Sequence, residues 1–209
     1  MIHVIEQYNA EKYPLLMEQM FRLRASVFHD HLKWDVEVVE GRERDKYDGE
    51  GPVYIIYTDD DARIVKGSLR LLPTTGPTVL ADFFSDTLPA GVQISAPTTW
   101  ECTRFCLNDR VLHAGNRSDM VYACVTLLVA LGKVAINAGI ETILGNFDSA
   151  MLKLYRHVGC EVDVLGSTLR FGRPVYLGSF EVSERIVRKL ERSLKKLSAS
   201  GYDREVFVA

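Results

Sequence analysis

Trp100-Glu101-Cys102-Thr103-Arg104-Phe105 reads as a buried strand, because aromatic, thiol and β-branched side chains run together there without a Gly or Pro. Two charges, Glu101 and Arg104, interrupt it. Charges in such a run are costly unless paired and hydrogen-bonded. The strand is therefore either part of a structural ion-pair network or the wall of a site that exploits a tuned ionisation. The two charges lie three residues apart, which in a regular strand points them to opposite faces. They serve different sites, or a β-bulge realigns them.

Upstream of this strand, residues 73 to 97 are irregular, and Val53–Thr58 and Arg63–Leu72 form two strands joined at Asp59-Asp60-Asp61. In the second, Lys66, Ser68 and Arg70 share one face, and Val65, Gly67, Leu69 and Leu71 the other. Residues 29 to 52 lack periodicity and carry Trp34, Asp45 and Asp48, a long loop of the kind that is often functional. Before it, Glu11 to Phe28 has helical spacing, with Tyr13, Leu16, Met17, Met20, Arg24 and Val27 on one stripe. Arg24 thus points inward, toward an acid or an anionic ligand group. Residues 1 to 8 form a short strand.

Downstream, a helix runs from Asp119 to Asn137 and stops at Gly139. Glu141 to Asn146 is a strand, and Asp148 caps a helix that ends at Gly159. Strands over Cys160–Phe171 and Pro174–Val182 meet at Gly172-Arg173, a charged helix covers Ser183 to Leu197, and the last residues are loose. This order predicts an α/β (α+β) chain, a three-layer α/β/α sandwich around one mixed, largely antiparallel sheet.

With 209 residues, 47% of them hydrophobic, the chain can bury a full core and reads as one domain. A net charge of -3 argues against a general nucleic-acid binder. Cys102, Cys106, Cys124 and Cys160 show no CxxC spacing, and the N-terminus lacks a signal-peptide pattern, which places the protein in a reducing cytoplasm. Met120 to Leu131 is the most apolar run and reads as a buried core helix rather than a membrane span. No metal site is expected, His29 and His31 lacking an acidic or thiol partner.

The charges outside solvated positions balance. Arg24, Arg70 and Arg104 are three cations at apolar or strand positions, and Asp45, Asp48 and Glu101 are three candidate anions. Such a set satisfies buried charges and also suits a zwitterionic ligand, with arginine forks on a carboxylate and acids on an amine.

Together, Arg24, Phe28, Trp34, Asp45, Asp48, Gly67-Ser-Leu-Arg70-Leu, Phe84, Trp100-Glu101 and Arg104-Phe105 resemble the pattern of the acyl-homoserine-lactone synthases, the LuxI-type autoinducer synthases. The resemblance implies an N-acetyltransferase-like fold, with a bulge in the Trp100–Phe105 strand opening a cleft. It also implies an enzyme that transfers an acyl group from a thioester to the amine of S-adenosylmethionine and closes the lactone with loss of 5'-methylthioadenosine. No tightly bound cofactor is implied.

On this resemblance Glu101 is the candidate base, and Arg24, Asp45, Asp48, Arg70 and Arg104 complete the catalytic set. Phe28, Trp34 and Phe105, with Arg24, Asp45 and Arg104, are expected to hold S-adenosylmethionine. Phe84, Thr103, Thr142, Met151 and Leu154 are expected to line the acyl pocket. The donor is an acyl carrier protein or acyl-CoA thioester, docked on Lys153, Arg156, Arg185, Arg188 and Lys189. One departure separates the chain from acetyl-CoA enzymes: Asn108 to Asp119 lacks the glycine-rich pyrophosphate turn. An acetyl-CoA-dependent N-acetyltransferase and a non-catalytic ligand-binding domain remain the alternatives.

Overall fold

The computed structural model describes residues 1–112, 117–170 and 172–199. In chain order the elements are β1 (Ile2–Glu6), α1 (Pro14–Arg24), β2 (Val38–Val39), β3 (Arg42–Glu43), β4 (Val53–Thr58), β5 (Val65–Pro73), α2 (Val79–Phe83) and β6 (Thr99–Leu107). They continue with α3 (Arg117–Asn137), β7 (Thr142–Asp148), α4 (Ser149–His157), β8 (Asp163–Arg170), β9 (Arg173–Glu181) and α5 (Glu184–Ala199). The quoted strand is β6, in the middle of a seven-stranded sheet ordered β1-β4-β5-β6-β7-β9-β8. Neighbours are antiparallel except β6 and β7.

Alternation along β5 builds the layers. Leu69 and Leu71 enter the core beneath α3 and α5, while Leu72 packs with Val79 and Leu80 of α2 on the opposite face. There α1 lays Leu16, Met17, Met20 and Phe21 against Tyr54 and Ile56 of β4. Ser118–Asn137 is long and apolar enough to cross a membrane by composition alone, but 67% of its most apolar window is buried, as the sequence predicts for a core helix.

The expected bulge is present. Pairing between β5 and β6 passes from Ser68↔Cys106 to Arg70↔Thr103, so Arg104 and Phe105 together face Leu69. Arg104 takes φ +53°, a conformation that costs a non-glycine residue roughly 1–3 kcal/mol. Beside the bulge, the parallel ladder to β7 has only three pairs, ending at Glu101↔Leu144. Past that point the strands part around a cavity of about 400 Å³.

Two local elements differ from the sequence reading. The helix expected over Glu11 to Phe28 divides into a 3-10 turn at Gln7–Lys12, α1 from Pro14, and a π-helical turn at Ala25–His31. Pro14 at the first helical position favours that start. The stretch read as irregular before β6 contains α2, only five residues long and too short to show periodicity. The tail expected to be loose lies outside the described residues beyond Ala199.

Candidate functional site

Asp45 and Asp48 owe their positions to one turn. Asp45 accepts from the Tyr47 amide at 3.0 Å, and Asp48 reaches back to the Asp45 amide at 2.9 Å, a reciprocal cap of the single 3-10 turn Lys46–Gly49. Their remaining lone pairs meet the arginines. Arg24 grips both oxygens of Asp48 at 2.8 and 3.0 Å, and Arg70 grips both of Asp45 at 2.5 and 2.9 Å and donates to Asp48 at 2.8 Å. Tyr54 adds a hydroxyl donor to Asp48 at 2.8 Å. Burial works to raise the Asp48 carboxyl, but Arg24 and Arg70 hold it far below the ordinary carboxylate range.

The third anion of this network is Glu43, not Glu101. Glu43 is 0% exposed and accepts from Arg24 Nε at 2.5 Å and from Arg104 Nη2 at 2.8 Å. Arg104 also meets Asp45 at 2.9 Å. Three arginines thus face three carboxylates, which is the balance the sequence predicts with one member exchanged. A signal for Glu43 exists in the chain: it stands two residues before Asp45, so an extended backbone turns both acids to one side.

Glu101 stands apart, 1% exposed. Its carboxylate accepts the first free amides of α2, Val79 at 2.9 Å and Leu80 at 2.7 Å. Burial pushes its pKa up to about 7, outweighing the lowering by those amides and by Arg70 and Arg104. A carboxyl that changes charge near neutrality at a cavity wall is suited to proton transfer. Neighbouring Cys102 also lines the cavity, but burial, with Glu101 adding to it, pushes that thiol up to about 12, leaving no useful thiolate.

The cavity has two sides separated by the plane of the sheet. On the α1 side Phe28, Trp34 and Phe84 form a row of mutually tilted rings, with centroids 5.1 and 6.4 Å apart, and the Arg104 guanidinium lies 5.0 Å from the Phe28 centroid. On the α3 side Phe105 meets Tyr155 edge-on at 6.2 Å, and Met151 and Leu154 of α4 continue an apolar wall. The bulge decides this partition, since the extra residue keeps Arg104 with the network and sends Phe105 through to the other face.

Several expected positions change accordingly. Phe105, expected beside the sulfonium substrate, lies on the apolar side. Phe84, expected in the acyl pocket, belongs with Trp34. Thr103 borders the cavity but turns toward the network and accepts from Arg70 Nε at 3.0 Å. Thr142 is not among the cavity-lining residues; it sits at the closed end of the β6–β7 ladder opposite Thr99. Arg24, Asp45, Asp48 and Arg70 do not line the cavity either, and Arg104 is the network member that reaches it. Since Thr142 lies outside the opening, Thr142→Val should leave relative kcat/KM values across acyl chain types unchanged within about twofold in a donor panel.

The basic surface expected to dock a carrier is largely paired. Arg185 and Lys189 meet Glu161 at 3.1 and 2.8 Å, and Arg188 pairs with Glu184. Lys153 and Arg156 on α4 have no ion pair among the described residues.

A family model described as autoinducer synthase matches residues 7–190. The chain is similar to an acyl-homoserine-lactone synthase of Rhizobium etli, 37% identical over 211 aligned positions that span 100% of this chain and 98% of that one. Among solved structures it is similar to BjaI, a CoA-dependent acyl-homoserine lactone synthase crystallised with S-adenosylmethionine and isopentyl-CoA, with a TM-score of 0.80 and 26% identity over 95% of this chain and 89% of that one. Similarity to the synthase LasI has a TM-score of 0.77 and 28% identity over 91% of this chain and 93% of that one.

Proposed function

The chain belongs to the autoinducer synthase family, acyltransferases that make an N-acyl-homoserine lactone from S-adenosylmethionine and an acyl thioester, and from that premise we propose how its own residues divide the work. The observation that carries the proposal is the joint placement of Glu101, Arg104 and the aromatic row on one side of a cavity whose other side is apolar. The row Phe28-Trp34-Phe84 offers faces to the sulfonium and adenine, and Arg104 directs its guanidinium toward the substrate carboxylate. The apolar side beyond Phe105 takes the acyl chain.

An α-amine has an ordinary pKa of about 8 and must lose a proton before it attacks. Glu101 accepts that proton, the amine nitrogen bonds to the thioester carbonyl carbon, and the carbon–sulfur bond breaks to release the carrier thiol. Cys102 stays protonated, so transfer is direct. Backbone N–H groups of β6 beyond Glu101, released from the β7 ladder, are placed to stabilise the oxyanion. The methionine carboxylate then attacks its own γ-carbon and methylthioadenosine leaves as a neutral thioether. This second step needs folding of the substrate more than proton transfer. Arg24, Arg70, Glu43, Asp45 and Asp48 are positioning residues that hold Arg104 and the floor of the site.

We place the enzyme in the cytoplasm, a reading that its four unpaired cysteines support. Acyl-CoA is our preferred donor over an acyl carrier protein: BjaI is CoA-dependent, and Arg185, Arg188 and Lys189 of α5 are paired with Glu161 and Glu184. The test is mass spectrometry of purified protein mixed with S-adenosylmethionine and matched acyl groups on CoA and on carrier protein. Lactone and methylthioadenosine in equal amounts are expected, with higher kcat/KM on CoA. Higher kcat/KM on carrier protein overturns the donor assignment. No methylthioadenosine with any donor overturns the mechanism, and an acetylated amine without it indicates an N-acetyltransferase.

A further inference from the structure

Tyr47 brings into the core a hydroxyl that the mechanism does not use. The residue is 1% exposed. Its ring packs with Leu72, Val79, Leu80 and Phe84, with the Arg70 guanidinium 5.6 Å from its centroid. Phenylalanine would fill the same space, so packing does not account for the hydroxyl. That group donates to Asp82 on α2 at 2.7 Å. Burial, with Asp82 beside it, raises the phenol well above its ordinary value, so it stays a donor throughout the working range. Lys46 also meets Asp82, at 2.6 Å, but from a side chain that is 63% exposed.

The same short helix serves Tyr47 and the catalytic base. Its first two amides, Val79 and Leu80, are the donors to Glu101, and Asp82 stands less than one turn further on. A helix of five residues is not stable by itself. Thr78 caps it by accepting from the Ala81 amide at 3.1 Å, and its apolar side packs in the core. At Asp82 the buried tie is the bond from Tyr47, since an ion pair to an exposed lysine contributes little. Tyr47 is in turn fixed by the Lys46–Gly49 turn, where its amide donates to Asp45 at 3.0 Å. A continuous path thus runs from the carboxylates that clasp Arg24 and Arg70, through one hydroxyl and α2, to Glu101.

We propose that the Tyr47 hydroxyl positions Glu101 through Asp82 and α2, joining the arginine network to the catalytic base. Without it α2 is tied at Asp82 only by the solvated Lys46, and the two amides lose their fixed place at the Glu101 carboxylate. Those amides favour the ionised carboxylate, so loosening them moves its ionisation to higher pH. The other charged or titratable groups near Glu101 are Arg70 on β5 and Arg104 and Cys102 on β6. Removal of a neutral hydroxyl changes the charge of none of them. Tyr47 is therefore a positioning residue, an assignment that rests on Glu101 being the base.

The experiment records kcat from about pH 6 to 9 for wild type, Tyr47→Phe, Asp82→Asn and Lys46→Met, with saturating S-adenosylmethionine and the better donor of the panel above. Tyr47→Phe should raise the midpoint of the wild-type rise, near pH 7, by about one unit. The rate deficit is then about fivefold at pH 7 and closes to within about twofold at pH 9. KM for S-adenosylmethionine should change by less than about twofold, because the arginines keep their carboxylates. Asp82→Asn keeps an acceptor for the hydroxyl and should move the midpoint by less than half as much. Lys46→Met, which loses an exposed pair, should leave it in place. A purely structural loss lowers the rate by one factor at every pH; that result, or an unmoved midpoint in Tyr47→Phe, overturns the assignment. An equal shift in Lys46→Met overturns it too, by tracing the effect to the charge of Asp82. A wild-type rate without a rise near pH 7 instead removes Glu101 as the base, and with it the reading on which the assignment rests.

Discussion

Glu101→Gln is expected to lower kcat by about a hundredfold or more, the scale on which a positioned base contributes, and to remove the rise of rate through pH about 7. In wild type the base works only when ionised, so below that pH the rate should fall about tenfold per unit. In the variant only the substrate amine, with its ordinary pKa of about 8, should titrate. The glutamine oxygen still accepts one amide of α2, so loss of that helix is not the expected cause. A kcat within twofold of wild type between pH 7 and 9 would remove Glu101 from the role of base.

The same carboxyl makes a stability prediction of definite sign. Its pKa in the folded protein, about 7, lies above the ordinary 4.5, so the folded state holds the proton more tightly than the unfolded one. The resulting contribution is complete below the ordinary value and is lost as pH rises through about 7, with a span of about 3 kcal/mol for so buried a group. A glutamine cannot ionise. The stability difference between Glu101→Gln and wild type should therefore move in favour of the variant from pH 5 to pH 8 in urea unfolding, and a constant difference would contradict the raised pKa.

Glu43→Gln should be the most destabilising single change of charge in the molecule. The substitution keeps size and leaves Arg24, Arg70 and Arg104 facing two carboxylates in a region where Arg24, Arg70 and Glu43 are 0% exposed. Removing one partner of a buried pair costs roughly 3–5 kcal/mol, because the remaining charge stays desolvated. Removing Glu184 from its exposed pair with Arg188 on α5 should cost at most about 0.5 kcal/mol. Urea unfolding of both variants checks the contrast. Since Glu43 also holds Arg104 toward the cavity, Glu43→Gln should raise KM for S-adenosylmethionine in protein that is still folded. A loss under 1 kcal/mol would mean that the arginines find other anions or water.

Much of this architecture was legible in the chain because it depends on short-range periodicity. Strand alternation placed Arg70 opposite Leu69 and Leu71, helical spacing turned Arg24 inward, and the three-residue separation of Glu101 and Arg104 required either two sites or a bulge. The turn that caps itself with Asp45 and Asp48 lay in a stretch read as a loop, and it was the resemblance of those two residues to one enzyme family that pointed to the chemistry. Neither α2 nor the division of the first helix could be read, since elements of five to seven residues carry too little periodic signal.

What only the tertiary structure decided is which charge meets which, and on which side of the sheet each side chain stands. Charge counting gives a balanced set but cannot choose among acids of equal sign, and it paired Glu101 with the arginines where the fold brings Glu43. Glu101 is instead held by the amides of an element the chain does not announce. The bulge was expected, yet its consequences for Phe105, Phe84 and Thr103 were not, because one inserted residue changes the facing of everything after it. Local sequence determined the strands, the inward arginines and the need for compensation. The three-dimensional fold determined the partners, since residues far apart in the chain are matched by packing and desolvation, which no local pattern encodes.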